Sequence, residues 1–286
     1  MSVKLSVCFF TFNRSGYLAH AISEFINNCS LDRKEYEIII SDDGSNELHK
    51  SKILEIQKSF GIEKVLWNEH KGMGNNFNAG LREASGKYLL HLEDDWALQS
   101  GEGNTLKRSL AFLEQHPEVS IVRLSPLQKI DPLSGLESYG EGFHKIKNDL
   151  NMYSNNPHLK RKDFHKYYQW YKEGCPPPES EMDFCDLVEK LGLTICWSGN
   201  VFTHFGCISA SGDKWRDLND TMELVYNSST SRDELLNIAQ IAMADNKVFL
   251  ARHALETFKN TGECDPQIEQ SLEIVSEICK QTECVG

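Results

Sequence analysis

The chain has 286 residues, 40% hydrophobic and 25% charged, which suits a soluble globular protein of one large α/β domain or a domain plus an appendage. Its 42 acids against 30 bases give a formal net charge of −12, which argues against nucleic acid or an anionic membrane as the main partner. No secretory signal pattern opens the chain, no apolar run approaches bilayer-spanning length, and its 9 cysteines form no C-x-x-C pair, so a reducing cytoplasm is expected.

Lys4 to Phe10 (KLSVCFF) predicts a first strand that delivers Thr11, Phe12, Asn13 and Arg14 at its carboxyl end. Ser15 can cap a helix in which Leu18, Ile22, Phe25 and Ile26 recur at helical spacing. Tyr36 to Ser41 predicts a second strand, ending in Asp42, Asp43, Gly44 and Ser45. A helix over 47–60 follows, with Leu48, Ile53, Leu54 and Ile56 on its apolar side, then a Gly61 stop and a third strand from Glu63 to Trp67. Gly72 and Gly74 permit close backbone approach at a helix start, a natural place for a phosphate. That helix continues over Ala79 to Ala84, with Gly86 at the C-terminal cap position.

The next stretch, GKYLLHLEDDW, is an apolar strand from Tyr88 to Leu92 that runs into Glu93, Asp94 and Asp95. Three carboxylates at a strand tip repel one another unless solvent or a cation relieves them. Hard oxygen ligands suit Mg2+ or Mn2+, which bridge a carboxylate to substrate phosphates. The alternation of strands and helices up to this point predicts a largely parallel sheet, and ligands gather beyond the carboxyl ends of such strands.

Asn104 can cap a helix to His116, which Pro117 ends, and Val119 to Leu124 predicts another strand. From 125 to 178 periodicity is lost in an aromatic and polar excursion holding Tyr139, Phe143, Tyr153, Tyr167, Tyr168, Trp170 and Tyr171. Such rings suit the C–H faces of sugars, or a local hydrophobic cluster. Helical spacing returns from Glu179 to Gly192, with Met182, Cys185, Val188 and Leu191 as inward residues and Glu181 and Asp183 near its start. Strands over 193–197 and 200–205 follow, the second carrying His204. Cys8, Cys185, Cys196 and Cys207 lie in apolar or semi-apolar runs, the usual setting of buried free thiols. Beyond Gly212 the pattern is helical, with a capping box at Ser231 and Glu234 and a helix start at Asp265–Pro266. The division expected is a domain over 1–212 and a helical appendage over 213–286, which covers part of the sheet or mediates homo-oligomerisation.

LSVCFFTFNR, YEIIISDDGS and KGMGNNFNAGLREASGKYLLHLEDDW, in that order, resemble the family 2 glycosyltransferases and their GT-A relatives over roughly residues 4–210. The resemblance implies a GT-A (Rossmann-like), mostly parallel sheet flanked by helices. It also implies metal-dependent transfer of a sugar from a nucleotide-diphosphate donor to the hydroxyl of a glycan or other acceptor. Thr11, Asn13 and Arg14 would then border the nucleoside, with Asp43 on its base or ribose and Asp42 supporting that turn. Gly72 and Asn78 would lie beside the donor. Glu93 and Asp95 take the two acidic places of the D-x-D motif around Asp94, with Asp95 the direct ligand of Mn2+ or Mg2+. Glu181 falls where the family keeps its general base, with Asp183 and Glu179 as alternatives. His204 is similar to a histidine near the diphosphate or the metal. Inversion is expected from a single displacement.

Three departures stand out. Glu93 replaces the first aspartate, Phe77 stands where an arginine often precedes the asparagine, and the acidic pair of the base is spread over Glu179, Glu181 and Asp183. A sugar-1-phosphate nucleotidyltransferase would need a Gly-rich loop after the first strand, which TFNRSGY is not. A dinucleotide-binding dehydrogenase would need G-x-G-x-x-G there. A non-catalytic nucleotide-sugar or glycan-binding module remains the alternative.

Overall fold

The computed structural model describes residues 4–127, 136–146, 153–205, 231–244, 248–260 and 266–283. The chain divides into two compact units, Met1–His204 and Phe205–Gly286. The expected boundary at 212, Cys207 and Asp265 lie outside the described residues.

The first unit opens with β1 (Leu5–Thr11), α1 (Ser15–Asn28), β2 (Tyr36–Asp42), α2 (Glu47–Phe60), β3 (Lys64–Trp67), α3 (Met73–Glu83) and β4 (Tyr88–Glu93). β1 pairs in parallel with β2 and with β4, and β2 with β3. Every residue of β1 and β2 is buried, as expected for strands covered on both faces, so their sequences read as continuous runs. β5 (Trp96–Leu98), α4 (Gly103–Gln115) and β6 (Val119–Arg123) follow.

The excursion is not structureless. It contains β7 (Leu136–Gly140), β8 (Phe143–Ile146), β9 (His158–Arg161) and the short helix α5 (Phe164–Tyr167), before α6 (Pro177–Leu191), β10 (Thr194–Trp197) and β11 (Phe202–His204). The nine-stranded sheet runs β3-β2-β1-β4-β9-β6-β10-β8-β7, and β11 pairs with β5 in a separate two-stranded sheet. β9 lies antiparallel between β4 and β6. Its sequence, HLKR, has one aliphatic residue, yet His158, Leu159 and Lys160 are all buried, so hydrophobic periodicity misses it.

Other local expectations are corrected. Ser15 is the first residue of α1, and its hydroxyl meets His49 Nδ1 at 2.7 Å instead of capping the helix. That contact, with Asn46 capping α2, turns His49, Ile53 and Ile56 inward and leaves Leu48 and Leu54 exposed. Gly86 caps nothing, since α3 ends at Glu83; a Cβ there would stand 2.6 Å from Ser6 N, so the glycine lets the turn pass against β1. Asn104 lies inside α4, which begins without a side-chain cap.

On α6 the buried residues are Ser180, Phe184 and Val188, while Met182 and Leu191 are exposed. Phe184 sets this phase by packing 4.5 Å from the Tyr171 ring and 4.8 Å from the Tyr153 ring. Phe143, Tyr153 and Tyr171 are core residues, whereas Tyr167, Tyr168 and Trp170 face solvent. Cys8 and Cys196 are free and buried, and Cys185 is half-buried.

The second unit contains helices Arg232–Ala244, Val248–Asn260 and Pro266–Glu283, three where two were expected. Leu235, Ala239, Ala242, Ala251, Ala254, Leu255, Phe258 and Val275 are buried in it. Among the described residues no helix is long and apolar enough to cross a membrane.

Candidate active site

The parallel register brings the carboxyl ends of β1, β2 and β4 side by side, with Thr11 opposite Asp42 and Phe10 opposite Glu93. Thr11 Oγ1 donates to Asp94 Oδ2 at 2.7 Å. The Arg14 guanidinium spans two acids, 2.9 Å from Asp94 Oδ1 and 2.9 Å from Asp95 Oδ2. It also lies 4.4 Å from the centre of the Tyr17 ring, which is fully buried. His204 arrives from β11, whose antiparallel pairing with β5 sets it opposite Trp96, and its Nε2 is 3.3 Å from Asp95 Oδ2. Residues some 190 positions apart therefore meet because β5 leaves the acidic turn directly and β11 returns along it.

The three acids differ electrostatically. Burial, then Asp95 and Asp94, hold Glu93 well above the usual carboxylate range. Burial also raises Asp94, against the pull of Arg14. Asp95 is lowered despite burial, because His204 and Arg14 both favour its charge. Asp95 is thus the member that carries a full negative charge most readily. Its Oδ1 is buried and has no hydrogen-bond partner, a cost that a cation would remove.

Asp95 Oδ1 and His204 Nε2 are oxygen and nitrogen donors of the kind Mn2+ accepts, and Asp94 stands beside them. Among the described residues no three His, Cys, Asp or Glu side chains form a closed metal cage. The donor set fits an ion that takes few protein ligands and completes its shell with phosphate and water, as Mg2+ and Mn2+ do in phosphate-handling sites.

The other residues expected beside a donor are engaged within the fold. Asp42 accepts from the backbone N–H of Gly44 and Ser45 at 3.1 and 2.8 Å and from the Ser45 hydroxyl, so it supports its own turn. Asn13 sits at φ 52°, takes the Ser45 hydroxyl oxygen on its N–H at 2.7 Å and accepts from Asn46 N at 2.8 Å, tying the β1 turn to the β2 turn. Asp43 holds His70 Nδ1 at 2.9 Å and Lys71 N at 3.2 Å. The His70 ring stacks on the half-exposed Phe12 ring, 4.3 Å apart and 11° from parallel. Gly72, at φ 92°, precedes α3. Asn78 is fully buried; its amide donates to Tyr171 O and Glu173 Oε1 and its oxygen accepts from Tyr171 N, so it fastens residues 171–173 to α3 rather than presenting a free amide.

On α6, Glu181 Oε1 accepts from Asn155 N at 3.0 Å, and its charge is felt by Glu93 and by Arg123. Arg123, at the end of β6, is buried, and burial lowers it to about 10 against the opposing influence of Glu181. Asp183 accepts from Gln169 Nε2 at 2.7 Å instead. Sequence reading missed Arg123, Asn155 and the Phe12–His70 pair. Arg123 ends an apolar strand as the acids end β4, which was its one legible sign; Asn155 has none. Behind Glu181 runs a buried polar chain: Tyr153 donates to Asn155 Oδ1 at 3.1 Å and meets the Tyr171 hydroxyl, which accepts from Lys160 Nζ at 3.0 Å.

A family profile described as Glycosyl transferase family 2 matches residues 6–164. A GalNAc(5)-diNAcBac-PP-undecaprenol beta-1,3-glucosyltransferase of Campylobacter jejuni is 41% identical over 105 residues, covering 36% of this chain and 33% of that protein. An uncharacterized glycosyltransferase of Nostoc is 31% identical over 94 residues, 32% of this chain and 28% of its own. The chain therefore aligns with about a third of the length of these curated relatives. Among solved structures, S. aureus TarS in complex with UDP-GlcNAc superposes with a TM-score of 0.53 at 14% identity, over 90% of this chain and 80% of that one. The mannosyltransferase PcManGT of Pyrobaculum calidifontis, in complex with GDP-Man and Mn2+, gives 0.54 at 11% identity, over 97% and 81%. These place the fold as GT-A, a mostly parallel central sheet flanked by helices. With the profile spanning more than half of its residues, this chain belongs to glycosyl transferase family 2.

Proposed function

We propose that the chain transfers a sugar from a nucleotide-diphosphate donor to an acceptor hydroxyl, with inversion, at the carboxyl edge of β1, β2 and β4. The observation that carries this reading is the meeting of Arg14, Asp94, Asp95 and His204 at one strand tip, with Asp95 Oδ1 buried and unpartnered. Asp95 and His204 would hold Mn2+ or Mg2+ there, and the bound ion would supply Lewis-acid stabilisation of charge on the leaving diphosphate. Arg14 supplies a fixed positive charge at the same place, already desolvated and aimed at the strand tip. The flat Phe12–His70 pair beside Asp43 offers a stacking surface for the base of the donor.

Glu181 is the proposed general base. Its Oε1 is oriented by Asn155 N, leaving the other oxygen to accept the proton of the acceptor hydroxyl as that oxygen attacks the anomeric carbon. Such a base contributes roughly a hundredfold to ten-thousandfold. One displacement with the base opposite the leaving group inverts the anomeric centre. Asp183, engaged by Gln169, is the less suited carboxylate. The relatives direct the choice of probes: TarS was solved with UDP-GlcNAc and PcManGT with GDP-Man and Mn2+, and the Campylobacter relative is named for a polyprenyl-diphosphate-linked glycan acceptor.

The test is release of nucleoside diphosphate from a panel of UDP- and GDP-sugars, with and without Mn2+. The expected result is slow Mn2+-dependent hydrolysis of one donor, lost in Asp95→Asn with the melting temperature near that of the parent. Donor turnover equal with and without metal, or unchanged in Asp95→Asn, would remove the proposed metal role.

A further inference from the structure

Five cations, Arg82, Lys87, Arg161, Lys162 and Lys166, line one cavity of about 500 Å³ together with Leu81, Asp163 and Trp170. It opens at the end of β4 opposite the acids, since Lys87 precedes Tyr88 and Arg161 pairs with Tyr88. At about 3.3 Å per strand residue the two ends lie roughly 20 Å apart. Three of the cations are engaged. Arg161 donates to the carbonyls of Val119, Leu113 and His116, Lys87 pairs with Glu114 at 2.8 Å, and Arg82 with Glu173 at 3.5 Å. Lys162 and Lys166 are exposed, and among the described residues neither pairs with a carboxylate. Leu81, the Trp170 indole and the methylene stems of the long side chains make the walls apolar beneath a cationic rim.

The flank of the cavity decides the ligand class. Tyr167, Tyr168 and Trp170 are 66%, 38% and 37% exposed, three large rings within four residues. Trp170 is steadied by the His165 ring at 4.9 Å and the Arg82 guanidinium at 4.8 Å. A small soluble anion would engage the cations and leave these rings in water. Rings at headgroup depth, with lysines against lipid phosphates and an apolar recess between them, are how a peripheral protein seats on an anionic bilayer. We infer that residues 161–170, with Arg82 and Lys87, form a docking surface for an anionic phospholipid bilayer, the cavity taking a lipid phosphate.

The net charge of −12 argues against an anionic membrane only for the chain taken as a whole. Charges more than about 8–10 Å from the contact are screened at ordinary ionic strength, so the local patch governs adhesion. Docked this way, the domain keeps the Asp95 strand tip at its other end, facing the water from which a nucleotide-sugar would come. The inference does not depend on glycosyl transfer.

The experiment is vesicle flotation of the whole chain with phosphatidylcholine alone and with a third of that lipid replaced by phosphatidylglycerol. Binding is expected only with the anionic vesicles, weakening as salt is raised. Lys162→Glu with Lys166→Glu should lower it at least about tenfold, and Tyr167→Ser alone severalfold. All three side chains are exposed, so melting temperatures should match the parent; if the double charge reversal does not fold, Lys162→Gln with Lys166→Gln takes its place. Equal flotation with both vesicle types, or flotation unchanged in the lysine variants, overturns the inference. Displacement by glycerol phosphate at concentrations matching the accessible lipid would assign the cavity to a soluble anion and overturn it too.

Discussion

Arg14 and Asp95 are joined at 2.9 Å through an oxygen that His204 also faces, so one carboxylate answers to two basic groups. The guanidinium therefore offsets part of the negative charge of these acids in the fold. Arg14→Ala should lose roughly 2 kcal/mol in urea melts without divalent ions, because it leaves buried carboxylates uncompensated. Mn2+ should restore part of that loss. The pH dependence has a definite sign. A carboxylate raised in the fold, as Asp94 and Glu93 are, costs stability as pH rises from its ordinary value to its raised one. Arg14→Ala should steepen that decline, and a variant with the parent's pH profile would contradict the account.

Glu181 and Asp183 stand two residues apart on α6 yet are held by different partners, Asn155 and Gln169. Glu181→Gln should leave nucleoside diphosphate binding by calorimetry near that of the parent and lower transfer by roughly a hundredfold or more. Asp183→Asn should lower transfer by less than about tenfold. The reverse order would move the base two residues along the helix, to Asp183.

Lys160 is fully buried beside Tyr171, and burial lowers it from 10.5 to about 7. A lysine depressed in the fold opposes folding fully below about pH 7, and the opposition fades as pH climbs towards 10.5, since only the unfolded chain then keeps the proton. Lys160→Met should therefore be more stable than the parent by about a few kcal/mol near neutral pH. The advantage should shrink steadily in denaturant melts towards pH 10. An advantage that grows with pH would mean that the fold favours the charged lysine, which contradicts the account.

Gly74, one residue into α3, faces the backbone of Lys172, and a Cβ there would collide with that carbonyl oxygen. Gly74→Ala should cost about 1–3 kcal/mol despite the better helix propensity of alanine. It should also displace residues 171–173, which Asn78 fastens to the same helix, and so raise protease cleavage there. Gly101→Ala supplies the contrast: it faces open space, and its φ of 87° is the only objection to a side chain.

What the sequence made legible follows from strand chemistry. β1, β2 and β4 are covered on both faces, so their runs of apolar residues are unmistakable and their polar ends mark one sheet edge. Thr11, Arg14, Asp94 and Asp95 were marked that way, and the structure brings them into contact. Asn78 was placed by likeness alone, and its buried amide turned out to fasten a loop, which no spacing in the sequence reveals. The region from 125 to 178 was opaque because its strands obey another logic. β9 buries a histidine and a lysine among aromatic rings, and a pattern reader takes such residues for surface. α6 misled for a simpler reason: with Phe184 inward, the helix turns Met182 and Leu191 to solvent, and only contacts with Tyr153 and Tyr171 fix that phase.

The antiparallel β9 has an implication for how the chain is made. β4 and β6 share no hydrogen bonds with each other; each pairs instead with residues 158–161. A nascent polypeptide that has emerged only as far as β6 therefore carries an open β4 edge and a β6 with neither neighbour, each a template for pairing with another chain. They are sealed together when a single four-residue splice slides between them, and ribosome stalling just short of that splice is where this protein should be most prone to clump.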